Sequence, residues 1–141
     1  MSDLVSLRPA ISDDMPYINA YSTAEGMDVM PSLEGITVAV NDEDISVGFI
    51  RLNWADGIAY VEPIVVCETW RGYGVGRVMI EDALNNAGEL RLVARGESVA
   101  FYERLGFVPI EWDDIAPGVT EDCTDCPYVP QCNPQPMRWV K

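Results

Sequence analysis

Histidine is absent from the 141 residues of the chain. Its absence removes Ser-His-Asp and Cys-His nucleophile chemistry and every zinc site that relies on imidazole, so proton transfer must fall to Glu, Asp, Tyr or Cys. Positive charge is also scarce: 9 Lys and Arg face 23 Asp and Glu, for a formal charge of −14. A surface of that sign is a poor partner for nucleic acid. It suits a cationic partner such as an amine, and it also keeps a protein soluble. No apolar run approaches the ~18 residues of a membrane span, and Met1 to Arg8 lacks a basic start followed by an apolar stretch. The expectation is a soluble, cytoplasmic protein with no membrane partner.

What is present points to one domain over residues 1–141, since 48% hydrophobic content over that length fills a single ordinary core. Val5 to Arg8 reads as a short strand, and Ser12-Asp13-Asp14 as the cap of an amphipathic helix carrying Met15, Tyr17, Ile18 and Tyr21. From Tyr21 to Gly35, the breakers Gly26, Pro31 and Gly35 predict short helical or irregular pieces. Three β-rich runs follow, Ile36 to Val40, Ile45 to Asn53 and Ile58 to Val66, separated by Asn41 to Asp44 and by Ala55-Asp56-Gly57. They predict an antiparallel meander. Pro63 cannot donate to a ladder, so the third strand is expected to be interrupted or bulged, with a local opening of the sheet.

Apolar residues at three- and four-residue spacing from Val75 to Ala87 predict a core-facing helix ending at Gly88. Leu90 to Ala94 reads as a strand and Glu97 to Leu105 as a helix stopped by Gly106 in the left-handed region. Phe107 is then expected to fold back onto Phe101 or Tyr102. Strands from Phe107 to Trp112 and from Met137 to Val140 complete the sheet.

The most specific signal lies between the third strand and the long helix, in Arg71-Gly72-Tyr73-Gly74-Val75-Gly76-Arg77. Glycines at alternate positions let successive N–H groups point inward, and the following helix adds its unpaired first-turn N–H groups and positive dipole end. The result is an anion cradle. It is neither the G-x-G-x-x-G dinucleotide fingerprint nor a Walker A loop. The spacing Arg71-x-x-Gly74-x-Gly76 resembles the Arg/Gln-x-x-Gly-x-Gly/Ala pyrophosphate loop of the GNAT superfamily of acyl-coenzyme A dependent N-acyltransferases. Ala100-Phe101-Tyr102-Glu103-Arg104-Leu105-Gly106-Phe107 is similar to that superfamily's second signature, a helix ending in Phe-Tyr-x-x-x-Gly-Phe.

The resemblance implies an α/β (α+β) fold with a central, mostly antiparallel mixed sheet, split in the middle and flanked by helices. It implies transfer of an acetyl group from acetyl-coenzyme A to an amine by direct attack in a ternary complex. The cosubstrate's pyrophosphate would sit on Arg71, Gly72, Tyr73, Gly74, Val75, Gly76 and Arg77. Its pantetheine arm would lie along Ile64, Val65 and Val66, with the Val66 N–H on the thioester oxygen. Tyr102 matches the general acid of the second signature, and a phenol's ordinary pKa of ~10 is close to that of a thiol. Glu62, on the same strand face as Ile64 and Val66, is the chosen general base, with Glu25, Glu34 and bulk water as alternatives. The asparagine that many members carry near the second helix is missing, and Ser98 or Arg95 is the substitute. Between Arg71 and Arg104 the charges balance, so the acidic excess lies outside the segment that meets a polyanion.

A Cys- and Pro-rich loop over 113–136 is left unexplained by the resemblance. Cys123, Cys126 and Cys132 have spacing that can chelate a metal, form a reversible disulfide or remain as free thiols. The rival to an enzyme is therefore a non-catalytic acyl-coenzyme A binding module whose cysteine loop senses metal or redox state. A homodimer is compatible with either.

Overall fold

The computed structural model describes residues 4–117, 119 and 133–141. Among the described residues the elements run β1 (Ser6–Pro9), α1 (Met15–Ala24), β2 (Ile36–Val40), β3 (Ser46–Ala55), β4 (Ile58–Val66), α2 (Val75–Ala87), β5 (Glu89–Ala94), α3 (Val99–Leu105), β6 (Val108–Pro109) and β7 (Gln135–Val140). The seven described strands form one mixed sheet in the order β1-β2-β3-β4-β5-β7-β6. The chain divides into two compact units, Met1–Asn53 with Val61–Ala83, and Trp54–Tyr60 with Leu84–Lys141.

In the first unit β1 pairs antiparallel with β2 (Leu7↔Ala39), and β2 pairs antiparallel with β3 (Val38↔Phe49). Alternation turns Ile36, Val38 and Val40 to one face, where they pack with Phe49, Val65 and Ile18 of α1. Ile18, Val38 and Phe49 are fully buried. Each such side chain contributes about 1.5–3 kcal/mol of apolar burial. Helix α1 continues through Tyr21 to Ala24 and ends just before Gly26, the first of the expected breakers, whose φ is +78°. Ser22 stays helical by donating its buried hydroxyl to the Ile18 carbonyl (2.9 Å).

A buried charge anchors the start of this unit. A 3₁₀ turn, Ser12–Asp14, leads into α1, and Asp14 is 3% exposed. Its carboxylate accepts hydrogen bonds from both terminal nitrogens of Arg8 (2.7 and 3.0 Å), from the Ile11 N–H (2.8 Å) and from the Ser46 hydroxyl (2.7 Å). Burial opposes ionisation, yet these donors outweigh it and hold the carboxyl below its ordinary value.

In the second unit β4 joins β5 in parallel at Ala59↔Leu90 and Tyr60↔Arg91. That two-residue ladder matches the expected opening of the sheet at this strand. Asp56 and Gly57, with φ of +52° and +80°, make the two-residue turn of a type I′ hairpin before β4. The strand is continuous through Pro63, contrary to the expected interruption; proline removes one donor, but its fixed φ is compatible with extended backbone. β5 pairs antiparallel with β7 from Glu89↔Val140 to Ala94↔Gln135. Buried Tyr60 accepts the Ala116 N–H on its hydroxyl (2.9 Å). The expected strand from Phe107 to Trp112 is reduced to β6, Val108–Pro109. It stops because the Glu111 N–H turns onto the Asp114 carboxylate (3.3 Å), which opens a 3₁₀ turn, Trp112–Asp114.

Asp14→Asn leaves Arg8 without its buried counter-charge and is expected to lower the unfolding free energy by about 3 kcal/mol. Urea denaturation at neutral pH measures this. Because the Asp14 carboxyl is depressed in the fold, the wild-type advantage is fully present above the ordinary carboxylate range and disappears as pH falls through the depressed value.

Candidate active site

β4 approaches β3 closely because position 48 is glycine: a Cβ there would stand 2.9 Å from the Val65 carbonyl oxygen and 3.3 Å from the Val66 Cα. The Cys67 N–H then donates to the Val47 carbonyl (2.9 Å). Val65 is buried, whereas Ile64 and Val66 are half-buried. A 3₁₀ turn, Glu68–Trp70, carries the chain from β4 into the glycine loop.

Gly72 and Gly74 adopt φ of +86° and +81°, and nothing stands within 4 Å of a Cβ at either position. Backbone conformation rather than crowding is what requires glycine there. The Val78 N–H donates to the Gly74 carbonyl (3.1 Å), the first i to i−4 bond of α2. The N–H groups of Val75, Gly76 and Arg77 therefore precede the helical ladder and carry the positive end of its dipole. The loop thus has the glycine conformations and the unpaired helix-start N–H groups expected of it.

Arg71 braces the loop. Its Nε donates to the Val66 carbonyl (3.1 Å) and its Nη2 pairs with Glu25, which ties the turn after α1 to the end of β4. Glu25, one of the alternative bases, is thus engaged with a guanidinium. Arg77 pairs with Glu81 one turn along α2 (3.2 Å). Exposed Tyr73 meets Trp70 with ring centroids 5.9 Å apart. Glu62 is half-buried and accepts a hydrogen bond from Asn53 Nδ2 (3.4 Å).

Three neighbours in this unit do not stand out in the sequence. Tyr21 donates to the Ser46 carbonyl (2.7 Å), and burial first, then Cys67, pushes its phenol up to about 12. Arg51 of β3 donates to Met30 Sδ (3.8 Å). Asn53 of β3 holds Glu62. Polar alternation along β3 was the available signal, but it is obscured by Trp54 and Leu52 between the polar positions.

Tyr102 and Ser98 belong to the second unit. Ser98 closes the 3₁₀ turn Gly96–Ser98 before α3. Gly106, at φ +130°, ends α3, and the Phe107 N–H returns to the Tyr102 carbonyl (3.1 Å). A Cβ on Gly106 would lie 2.7 Å from the Trp139 ring. Phe107 folds back onto Tyr102 as expected, with centroids 5.5 Å apart and planes at 74°. Burial pushes the Tyr102 phenol up to about 12, so it holds its proton throughout the neutral range. An open cavity of about 260 Å³ in this unit, lined by Tyr60, Arg91, Asp113 and Asp114 among others, contains none of the catalytic or cofactor-binding residues expected from the sequence, though Asp113 to Pro117 begin the Cys- and Pro-rich loop.

Cys123, Cys126 and Cys132 lie outside the described residues. Among the described residues no group of three His, Cys, Asp or Glu is arranged to hold a metal, and Cys67 is unbridged.

A strand leads through positive-φ glycines into a helix N-terminus, within a mixed α/β sheet flanked by helices. The family described as acetyltransferase (GNAT) domain matches residues 32–109. The chain belongs to the GNAT acetyltransferase family. It is similar to the peptidyl-lysine N-acetyltransferase YjaB of Escherichia coli (strain K12), 40% identical over 74 residues that cover 50% of this chain and 47% of that protein. The chain spans about half the length of the curated relatives it matches. In structure it resembles N-acetylglutamate synthase from Neisseria gonorrhoeae complexed with coenzyme A and N-acetyl-glutamate, with a TM-score of 0.79 and 17% identity over 99% of this chain and 36% of that one. It also resembles Rv2747 from Mycobacterium tuberculosis in complex with CoA and NLQ, with a TM-score of 0.77 and 18% identity over 96% and 99% of the two chains. At these identities the likeness establishes the fold.

Gly74→Ala places a side chain in the left-handed region, at a backbone cost of about 1–2 kcal/mol. The expected outcome is a folded protein whose coenzyme A affinity, measured by isothermal titration, falls about tenfold as the cradle relaxes.

Proposed function

We propose that the protein transfers an acetyl group from acetyl-coenzyme A to an amine by direct attack in a ternary complex, with no covalent enzyme intermediate. The observation that carries the proposal is the cradle of Gly72 to Arg77, set directly after β4. Bound acetyl-coenzyme A supplies the activated thioester. The N–H groups of Val75, Gly76 and Arg77 hold the pyrophosphate, and Ile64, Val65 and Val66 align the pantetheine arm as an added strand, with the Val66 N–H on the thioester oxygen. Ser98 adds a polar contact to the cosubstrate.

Glu62 takes a proton from the incoming ammonium, directly or through water, and Tyr102 gives a proton to the departing thiolate. One N–C bond forms as one C–S bond breaks. The raised Tyr102 phenol makes its transfer less well matched than an ordinary tyrosine would. The acidic excess of the chain, −14 in all, attracts an acceptor that arrives as an ammonium cation. The reaction is placed in the cytoplasm, a setting with which the unbridged thiol of Cys67 agrees. Among the described residues no helix is long and apolar enough to cross a membrane.

Tyr102→Phe is expected to lower kcat by about 10²-fold or more while coenzyme A affinity is unchanged, read as free thiol release from acetyl-coenzyme A with a panel of amines. An unchanged rate would remove Tyr102 from the mechanism; no turnover of any amine by the wild type would overturn the enzymatic reading in favour of a binding module. Glu62→Gln is expected to lower kcat/KM in the same assay.

A further inference from the structure

Three arginines of this chain are half-buried, Arg8, Arg51 and Arg91. A guanidinium withdrawn from water loses hydration and is ordinarily compensated by a carboxylate. Arg8 has Asp14 (2.7 Å) and Arg91 has Glu89 (2.7 Å). Arg51 forms no ion pair among the described residues of a chain that carries 23 acids. Its hydrogen bond runs to the thioether of Met30 (3.8 Å), a weak acceptor. Among the described residues, position 51 is therefore a half-buried cation with strong donor capacity left over.

Its surroundings give that capacity a direction. Arg51 and Asn53 are two apart on β3 and share a face of the strand. The Asn53 amide reaches the Glu62 carboxylate (3.4 Å) on β4. One short stretch of the first unit thus presents a guanidinium, an amide and a carboxylate. The guanidinium fork matches a carboxylate in two parallel hydrogen bonds, while Glu62 suits an ammonium group.

We propose that Arg51 is a specificity-determining residue that anchors a carboxylate on the acceptor, so that the acceptor is an amine bearing a carboxylate, such as a free amino acid. This rests on the acetyl-transfer reading above and narrows its substrate class. The ammonium end goes to Glu62 and the carboxylate end to Arg51, with Asn53 fixing the orientation of Glu62. Because a site built to bond a charged group leaves buried donors unpaired when that group is missing, discrimination against the neutral analogue is large.

The test compares common L-amino acids, each paired with its own carboxamide, as acceptors for acetyl-coenzyme A, in the wild type and in Arg51→Met, which keeps an apolar stem against Met30. The wild type is expected to favour at least one free acid over its carboxamide by about tenfold or more in kcat/KM. Arg51→Met is expected to bring that ratio close to one through the free acid's KM, leaving coenzyme A affinity and thermal midpoint unchanged. Arg51→Lys is expected to recover part of the preference. Equal use of acids and carboxamides by the wild type, or an unchanged ratio in Arg51→Met, would overturn the anchor while leaving acetyl transfer standing. No turnover of any amine would overturn both.

Discussion

At the start of α2 the chain offers backbone N–H groups that no carbonyl of the helix can accept, since the ladder begins only at Val78. A helix end of this kind must be met by side chains, water or an anion. Here Gly72 and Gly74, both in the left-handed region, bend the approach to the open helix start. The cost of that opening is borne by the surrounding frame. β3 is pressed against β4 through Gly48, and the Arg71 guanidinium holds the end of β4 to the turn after α1. The frame makes the cradle a feature of the folded state rather than one that forms only with a ligand. Preorganised donors of this kind spend less of their binding energy on ordering the site.

The charge distribution follows the same logic. The acidic excess lies outside Arg71 to Arg104, and within that stretch acids and bases balance. A polyanionic cosubstrate can reach a neutral patch, whereas the rest of the surface draws cations. Asn53, which donates to Glu62 of β4, lies on β3 beyond the apolar run of Val47 to Ile50. The change from buried to half-buried along β3 marks where the core gives way to polar positions.

Much of this was legible in the chain because it is written in local patterns. The spacing of Val75, Met79, Ile80, Ala83 and Leu84 defined α2 to the residue, and Gly106 followed by Phe107 foretold the helix stop and the ring contact with Tyr102. The glycine loop was equally plain, since positive φ leaves few alternatives to glycine. What stayed hidden depends on partners far away in sequence. Nothing around Asp14 announces Ser46 as a ligand 32 positions later, and nothing around Gly48 announces the Val65 carbonyl. That Arg51 forms no ion pair among the described residues could not be read until its neighbours were placed. The shortness of β6 had a similar origin, in a backbone N–H captured by Asp114 that the alternation of Val108 to Ile110 does not reveal.

The decisive measurement is a backbone amide chemical-shift titration of the intact chain with coenzyme A and, in parallel, with pantetheine, which lacks the phosphates. Coenzyme A is expected to move the amides of Val75, Gly76 and Arg77 strongly, whereas pantetheine leaves them in place and perturbs only Ile64 to Val66. Amides at 75–77 that stay unmoved at saturating coenzyme A, or that respond equally to pantetheine, would contradict a pyrophosphate cradle at the start of α2.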